Sequence, residues 1–184
     1  MKIISLAIPD VKLIEPDVFG DNRGVFMETY RADQFKEAGI PTNFVQDNMS
    51  SSRKGVLRGL HFQKDPYSQG KLVRVVRGEV FDVAVDLRKG SPCFGKWVGD
   101  FLSEENKRSL YVPNGFAHGF CVVSDEAVFH YKCTEFYHPE AEGGLRYDDP
   151  TVNVEWPKID VPFLTSPKDE KAPFLENIDC NFTY

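Results

Sequence analysis

The chain has 184 residues, 13% of them aromatic and 27% charged, and its formal net charge at pH 7 is -6. This length and aromatic content predict one folded domain spanning residues 1–184 and exclude a disordered chain. An acidic chain without a basic stripe is not expected to bind nucleic acid. No apolar run approaches the roughly 20 residues of a membrane span, and the N-terminal apolar stretch is too short for a secretory signal, so a cytoplasmic protein is expected.

Short strands dominate the predicted elements. Residues 19–28 indicate a turn between two strands, and residues 33–38, ended by Gly39, indicate one short helix. Further strands are predicted at residues 72–77, 80–87, 110–112, 119–124 and 127–134. The first two of these flank a hairpin at Gly78-Glu79, and the alternation in 80–87 predicts a strand with one half-buried face. Many short strands joined by turns favour a mostly β fold, either a sandwich, a jelly roll or a small barrel.

Two neighbouring segments combine basic side chains with apolar strand sequence. They read G-V-L-R-G-L-H at 55–61 and Q-G-K-L-V at 69–73. His61 could accept a proton at neutral pH, while Arg58 and Lys71 could hold an anion or an oxygen that becomes negative during a reaction. A base beside a cation in an apolar lining suits removal of a proton from a carbon next to a carbonyl, although a single histidine can equally be structural.

A second histidine, His118, ends the pattern P-x-G-x-x-H at 113–118, which resembles the second motif of the cupin jelly roll. Metal-binding cupins add an H-x-H pair and a glutamate, whereas the matching positions here read His61-Phe62-Gln63, with Lys71 further on. One imidazole beside a glutamine and an ammonium group is a poor ligand set for a transition metal. The four cysteines form no C-x-x-C pair, so reduced thiols are expected. The missing metal ligands therefore predict a cupin-type fold that has lost its metal.

Three further side chains are candidates for the same chemistry. Tyr131 alternates onto one strand face with Phe129, where it is either a core tyrosine or, facing a pocket, a general acid. Tyr137 has the same parity and could supply a surface for stacking. Asp169, in the S-P-K-D segment at 166–169, could orient a histidine by accepting its second ring proton, or could simply belong to a polar loop.

Together these segments closely resemble the dTDP-4-dehydrorhamnose 3,5-epimerase family, over nearly the whole chain. Besides the segments at 55–61 and 69–73, the resemblance rests on F-G-D-N-R-G-V-F-M-E at 19–28, V-Q-D-N at 45–48, V-P-N-G-F-A-H-G-F at 112–120, the strand of Tyr131, Y-H-P-E at 137–140 and Lys168-Asp169. It implies an enzyme with a cupin jelly-roll fold that epimerises dTDP-4-dehydro-6-deoxy-D-glucose (also called dTDP-4-keto-6-deoxyglucose) at carbons 3 and 5. The product would be dTDP-4-dehydro-L-rhamnose, in dTDP-L-rhamnose biosynthesis, formed without a cofactor.

The resemblance also implies a role for individual residues. His61 would be the general base, oriented by Asp169. Tyr131 would be the general acid on the opposite face of the sugar, and Lys71 would stabilise the enolate oxygen. The substrate-binding residues that it implies, besides Lys71, are Arg23, Glu28, Gln46, Asp47, Asn48, Arg58, His118, Tyr137, Glu142 and Lys168, with Tyr137 stacking near the thymine. It further implies a homodimer, in which Phe19, Arg23 and Glu28 reach toward the site of the partner subunit.

The implied chemistry agrees with these residue types. Carbons 3 and 5 of a 4-keto sugar both flank the carbonyl, so either C–H can be deprotonated if charge on the oxygen is stabilised. A base on one face and an acid on the other produce inversion rather than exchange alone. The pyrophosphate of the nucleotide would explain why an acidic protein gathers arginine and lysine in one place.

Two other interpretations remain open. The nearer one is a related epimerase that acts at carbon 3 or carbon 5 alone, which would use nearly the same residues. The other is a cupin of a different class, either a non-catalytic nucleotide-sugar-binding protein or a metal-dependent oxygenase. The single histidine of the first motif argues against the oxygenase. The presence of both His61 and Tyr131 argues against simple binding, because binding alone needs no acid and base on opposite faces.

Overall fold

The computed structural model describes all 184 residues, and strands make up most of its regular structure. In chain order the strands are β1 (Lys2–Ser5), β2 (Lys12–Glu15), β3 (Val18–Asp21), β4 (Gly24–Met27), β5 (Gln46–Arg53), β6 (Leu57–Gln63), β7 (Lys71–Arg77), β8 (Glu79–Asp86), β9 (Trp97–Ser103), β10 (Ser109–Val112), β11 (Phe116–Val122), β12 (Glu126–Cys133) and β13 (Glu142–Gly144). The helices are α1 (Ala32–Glu37) and α2 (Pro167–Lys171), with 3-10 turns at Pro139–Ala141 and Leu175–Asn177. None of these helices has the length and apolar character needed to cross a membrane.

Two antiparallel sheets pack face to face. The larger sheet has the strand order β1-β2-β10-β7-β12-β5, and the smaller one has the order β13-β6-β11-β8-β9. The largest core cluster lies between them, with Val73 and Phe129 from the larger sheet against Val80 and Phe120 from the smaller. Burial of these apolar side chains from both sheets is the main force holding the sandwich together. The predicted mostly β class and cupin-type jelly roll are confirmed.

The strand predictions agree with the structure except near element ends. The predicted strand 119–124 begins earlier, since β11 covers Phe116–Val122, and the predicted helix 33–38 is α1, with Ala38 as its C-cap. The predicted turn within 19–28 is the hairpin of β3 and β4. The hairpin predicted at Gly78-Glu79 is wrong, because β7 belongs to the larger sheet and β8 to the smaller one, so the chain crosses from one sheet to the other there. Gly78 at this crossing has a φ of 77°, and a Cβ on it would lie 1.9 Å from the carbonyl oxygen of Glu126, so the connection requires glycine. All four cysteines are free, as expected.

Strand β8 differs from the prediction of one half-buried face, because the structure buries both faces. Val80 and Ala84 point into the main core, while Phe81, Val83 and Val85 pack in a second cluster. Segments that follow β13 cover this second face, and they contribute Leu145, Val152, Cys180 and Phe182. A strand covered from a distant part of the chain cannot be recognised from its own alternation.

Candidate active site

A cavity of about 680 Å³ opens inside the sandwich. The larger sheet contributes Asn48 and Tyr131 to its wall, and the smaller sheet contributes Arg58 and His61. A smaller recess of about 260 Å³ shares several of these side chains and extends toward Tyr137. Most of the predicted site residues line one of these two spaces, namely Gln46, Asn48, Arg58, His61, Lys71, His118, Tyr131, Tyr137, Glu142 and Asp169.

His61 is held by a buried carboxylate. Its Nε2 lies 2.6 Å from Oδ1 of Asp169, which is 4% exposed. The other oxygen, Oδ2, accepts hydrogen bonds from the Ser166 hydroxyl at 2.8 Å and the Ser166 amide at 3.1 Å, in the capping box that begins α2. Burial by itself would raise the pKa of Asp169, but the hydrogen bonds from His61 and Ser166 outweigh it and hold the pKa below its usual range. A carboxylate fixed in this way holds the imidazole in one orientation.

Tyr131 lies on the wall opposite His61. It belongs to β12 of the larger sheet, where it pairs with Asn48 of β5 and Val73 of β7, whereas His61 belongs to β6 of the smaller sheet. Burial raises the pKa of the Tyr131 phenol, so its hydroxyl keeps its proton. The imidazole of His61 and the protonated phenol of Tyr131 therefore face one space from two sides.

Lys71, at the start of β7, supplies the positive charge within the cavity. Burial lowers the pKa of its ammonium group, while the negative groups around it, including Asp82 and Glu142, oppose that shift. Arg58 adds a second cation at the wall, where its Nε and Nη2 donate to the Ser52 hydroxyl at 3.2 Å and 3.1 Å. An oxygen that becomes negative in this space would lie close to preplaced positive charge.

The structure adds Asp82, a buried acid that the sequence analysis did not identify. Asp82 is 0% exposed, and its two oxygens lie 2.9 Å and 3.0 Å from Nε2 of His118, which lines the cavity. Burial raises the pKa of Asp82, and its hydrogen-bonded partner His118 and the nearby charge of Lys71 oppose that rise. The sequence could have indicated Asp82, because it alternates onto the same strand face as Val80 and Ala84, which point into the core.

Tyr137, Glu142 and Lys168 meet at the entrance of the smaller recess. The Tyr137 hydroxyl donates to Oε2 of Glu142 at 3.0 Å, and the Lys168 ammonium group pairs with Oε1 of the same carboxylate. Burial would raise the pKa of Glu142, but the hydrogen bonds from Lys168 and Tyr137 keep it lowered. These contacts place an aromatic ring beside charged groups at the opening.

Four of the predicted binding residues line neither space: Lys168 reaches the recess only through Glu142, and the other three lie farther out. In β5 the alternation turns Gln46 and Asn48 inward and Asp47 outward, where Asp47 pairs with Lys132 at 2.9 Å. Arg23 lies in the exposed turn of the β3–β4 hairpin and pairs with Asp21, and Glu28 follows that hairpin, so neither lines the cavity. The structure contains no group of three or more His, Cys, Asp or Glu side chains that could hold a metal ion.

Comparisons with known proteins agree on one family. The family model described as dTDP-4-dehydrorhamnose 3,5-epimerase matches residues 5–177. A protein of that name from Shigella flexneri is 60% identical over 177 residues, 96% of this chain and 97% of the relative. A similar solved structure is the crystal structure of dTDP-6-deoxy-D-glucose-3,5-epimerase RmlC from Legionella pneumophila Philadelphia 1, in complex with dTDP-4-keto-L-rhamnose. The two structures align with a TM-score of 0.92 at 54% sequence identity, and the alignment covers 97% of this chain and 94% of the Legionella chain. A dTDP-4-dehydrorhamnose 3-epimerase from Streptomyces niveus is 44% identical and covers 95% of this chain and 84% of its own length.

Proposed function

The chain belongs to the dTDP-4-dehydrorhamnose 3,5-epimerase family, and from this premise we propose how its residues carry out that isomerisation in dTDP-rhamnose biosynthesis. The substrate is dTDP-4-dehydro-6-deoxy-D-glucose, which is inverted at carbons 3 and 5 to dTDP-4-dehydro-L-rhamnose. The observation that carries the assignment of roles is the placement of His61 and Tyr131 on opposite walls of one cavity. That arrangement suits proton removal on one face of a sugar and proton delivery on the other.

In the first half of each inversion, His61 removes the proton from the carbon beside the carbonyl. The C–H electron pair moves into the ring as a C=C bond, and the carbonyl π electrons move onto the oxygen at carbon 4. Lys71 stabilises the negative charge on the resulting enolate oxygen. Stabilising this charge is the largest electrostatic contribution to the reaction. Asp169, held 2.6 Å from Nε2 of His61, stabilises the imidazolium that forms.

In the second half, Tyr131 delivers its hydroxyl proton to the opposite face of the same carbon. The carbonyl re-forms and the configuration is inverted. His61 then carries one extra proton and Tyr131 lacks one, so exchange with solvent restores both before the second carbon reacts. The cycle needs neither an oxidant nor a reductant, because the substrate and the product have the same composition.

The same cavity offers binding groups for the nucleotide. Arg58, fixed by Ser52, suits a pyrophosphate oxygen, and Tyr137 at the entrance suits stacking against the thymine. Gln46, Asn48, His118, Glu142 and Lys168 complete the proposed binding set on this chain. Asp47 stays a prediction from the resemblance, and its side chain pairs with Lys132 on the outer face of the sheet.

We further propose that two copies form a homodimer in which the β3–β4 hairpin completes the site of the partner subunit. Support comes from the exposed apolar side chains of this hairpin, Phe19 at 63%, Val25 at 62% and Phe26 at 71%. Such a surface on a small hairpin is costly in water unless another chain covers it. Arg23 and Glu28, which do not reach the cavity of their own chain, would then contribute to the second one.

The experiment that tests the activity is incubation with dTDP-4-keto-6-deoxyglucose in heavy water, followed by NMR of the sugar. We expect deuterium at both carbon 3 and carbon 5, with the product trapped by a downstream reductase. Label at one carbon would instead identify a single-site epimerase, the activity named for the Streptomyces niveus relative. Binding without any label would identify a nucleotide-sugar-binding cupin.

A further inference from the structure

The segment 135–138, which carries Tyr137 at the entrance of the cavity, has no helix or strand of its own. Its backbone is held instead by glutamine side chains, and the main one is Gln63. The side-chain amide of Gln63 donates to the carbonyl oxygen of Phe136 at 3.0 Å, and its oxygen accepts the backbone amide of His138 at 2.8 Å. One side chain thus binds the residues immediately before and after Tyr137.

Gln63 is itself fixed. It is the last residue of β6, is 4% exposed, and donates a further hydrogen bond to the carbonyl oxygen of Tyr67 at 2.7 Å. Both amide protons and the oxygen of its side chain are therefore used. The ring of Tyr67 also stacks on that of His138, with centroids 3.8 Å apart. Gln63 thereby links the segment to a strand of the sandwich.

Two other glutamines complete the arrangement. Gln46 accepts the backbone amide of Tyr137 at 2.9 Å, and Gln69 donates to the carbonyl oxygen of Glu135 at 2.8 Å. Four consecutive residues are thus each bound by a glutamine side chain from β5, β6 or the loop before β7. The backbone on both sides of the Tyr137 ring has little freedom left.

We propose that Gln63 is a positioning residue for nucleotide recognition, which fixes the ring of Tyr137 in the orientation that stacks on the base. The inference rests on the proposed function, because it takes Tyr137 as the stacking residue. A ring that is already ordered gains its stacking energy without a further loss of entropy on binding. Since His61 lies two residues before Gln63 in β6, one strand would set both the catalytic base and the distance to the nucleobase.

The proposal predicts a change in affinity without a matching change in turnover. Gln63→Met keeps the length of the side chain but removes its hydrogen bonds. We expect the Kd for dTDP, measured by calorimetric titration, to rise about tenfold, the factor that corresponds to about 1.4 kcal/mol. KM for the substrate should rise with it, while kcat stays within about twofold of the wild type. The matched control is Gln34→Met on α1, a residue that lines neither cavity, and it should leave Kd unchanged.

A double-mutant cycle separates positioning from general loss of structure. In a Tyr137→Ala background the ring is absent, so adding Gln63→Met should raise Kd no further. Additive effects of the two changes, or a fall in kcat at an unchanged Kd, would overturn the proposal. If Gln63→Met does not fold, Gln69→Ala offers a milder change, because it removes a single hydrogen bond to the same segment. This variant should raise the Kd for dTDP about threefold. An unchanged Kd would count against the proposal.

The calorimetric titration with dTDP measures binding and does not depend on catalytic turnover. A protein that bound dTDP tightly but failed to epimerise would contradict the proposed activity, while the role of Gln63 would still be judged by the affinities. A wild-type chain that did not bind dTDP would overturn both.

Discussion

The carboxylate of Asp169 lies 2.6 Å from Nε2 of His61, although 108 positions separate the two residues in the chain. The contact joins β6 to the first turn of α2, and the capping box of Ser166 fixes the carboxylate from its other side. A short helix thus serves to hold one acid against one base. The pair gives His61 a defined orientation toward the cavity, and the assignment of roles in the site begins from it.

The proposed base and acid should fail differently when they are removed. His61→Ala should lose both deuterium exchange and product, because no group is left to remove the proton. Tyr131→Phe should retain some exchange at the first carbon but invert poorly, because proton delivery to the opposite face is lost. Each effect should be roughly 100-fold or more on the affected step. NMR in heavy water measures both, and full turnover by both variants would show that the roles are assigned wrongly.

Asp169 should make folding stability depend on acidic pH. Its pKa in the folded protein is lowered, because hydrogen bonds from His61 and Ser166 outweigh burial. The stabilisation is therefore present above the pKa of the unfolded chain, about 3.9, and is lost as pH falls through the lower folded-state value. Asp169→Asn should cost roughly 1–2 kcal/mol at pH 7, and less at pH 3. Urea unfolding at several pH values measures this, and a difference from wild type that did not change with pH would contradict it.

Lys71 should set the alkaline limit of activity. Burial lowers the pKa of Lys71, so the lysine loses its proton at a lower pH than usual, and burial raises the pKa of Tyr131, so the phenol keeps its proton to a higher pH than usual. We expect kcat/KM to fall at a pH below about 10.4, the ordinary value for lysine. Lys71→Arg keeps its charge at any such pH and should move this limit upward in whatever activity remains. In Tyr131→Phe, the residual deuterium exchange should show the same alkaline limit as the wild type. If Lys71→Arg left this limit unchanged and Tyr131→Phe moved it, the limit would belong to Tyr131.

Asp82 should contribute to stability through its contact with His118. Asp82→Ala removes the carboxylate that lies 2.9 Å from Nε2 of the buried imidazole and leaves that nitrogen without a partner. We expect a loss of roughly 2 kcal/mol of unfolding free energy. Asp82→Asn retains an oxygen acceptor and should lose less. Equal losses in urea unfolding would show that the charge of Asp82, and not only its hydrogen bond, stabilises the pair.

The proposed sharing of sites between subunits can be tested with two inactive variants. Arg23→Ala should impair substrate binding and His61→Ala should abolish proton removal, so each homodimer is weak or inactive. When equal amounts are unfolded and refolded together, half of the dimers are mixed and each holds one intact site, so roughly a quarter of wild-type activity should return. If each chain used its own Arg23, mixing would restore nothing. Analytical ultracentrifugation of the wild type provides the control for the dimer itself.

The sequence by itself indicated the class of fold, and most of the site residues predicted from it line the cavity or the smaller recess. The alternation in β7, β8 and β12 identified strands, because side chains on a strand point to opposite faces with a period of two. The same alternation placed Tyr131 on the face of Phe129, as the structure does. His61, Lys71 and His118 stood out because polar and basic groups inside apolar strand sequence are unfavourable unless a partner or a cavity receives them.

Only the tertiary structure decided which side chains meet. The partner of His118 is Asp82, on a neighbouring strand, and the partners of Gln63 include the backbone at Phe136, 73 positions away. The outward turn of Asp47 and the burial of both faces of β8 likewise depend on strand register and on a covering segment from the other end of the chain. The local sequence pattern indicates which side chains share a face of their own strand. The contacts between strands arise from packing over long separations, which no local pattern contains.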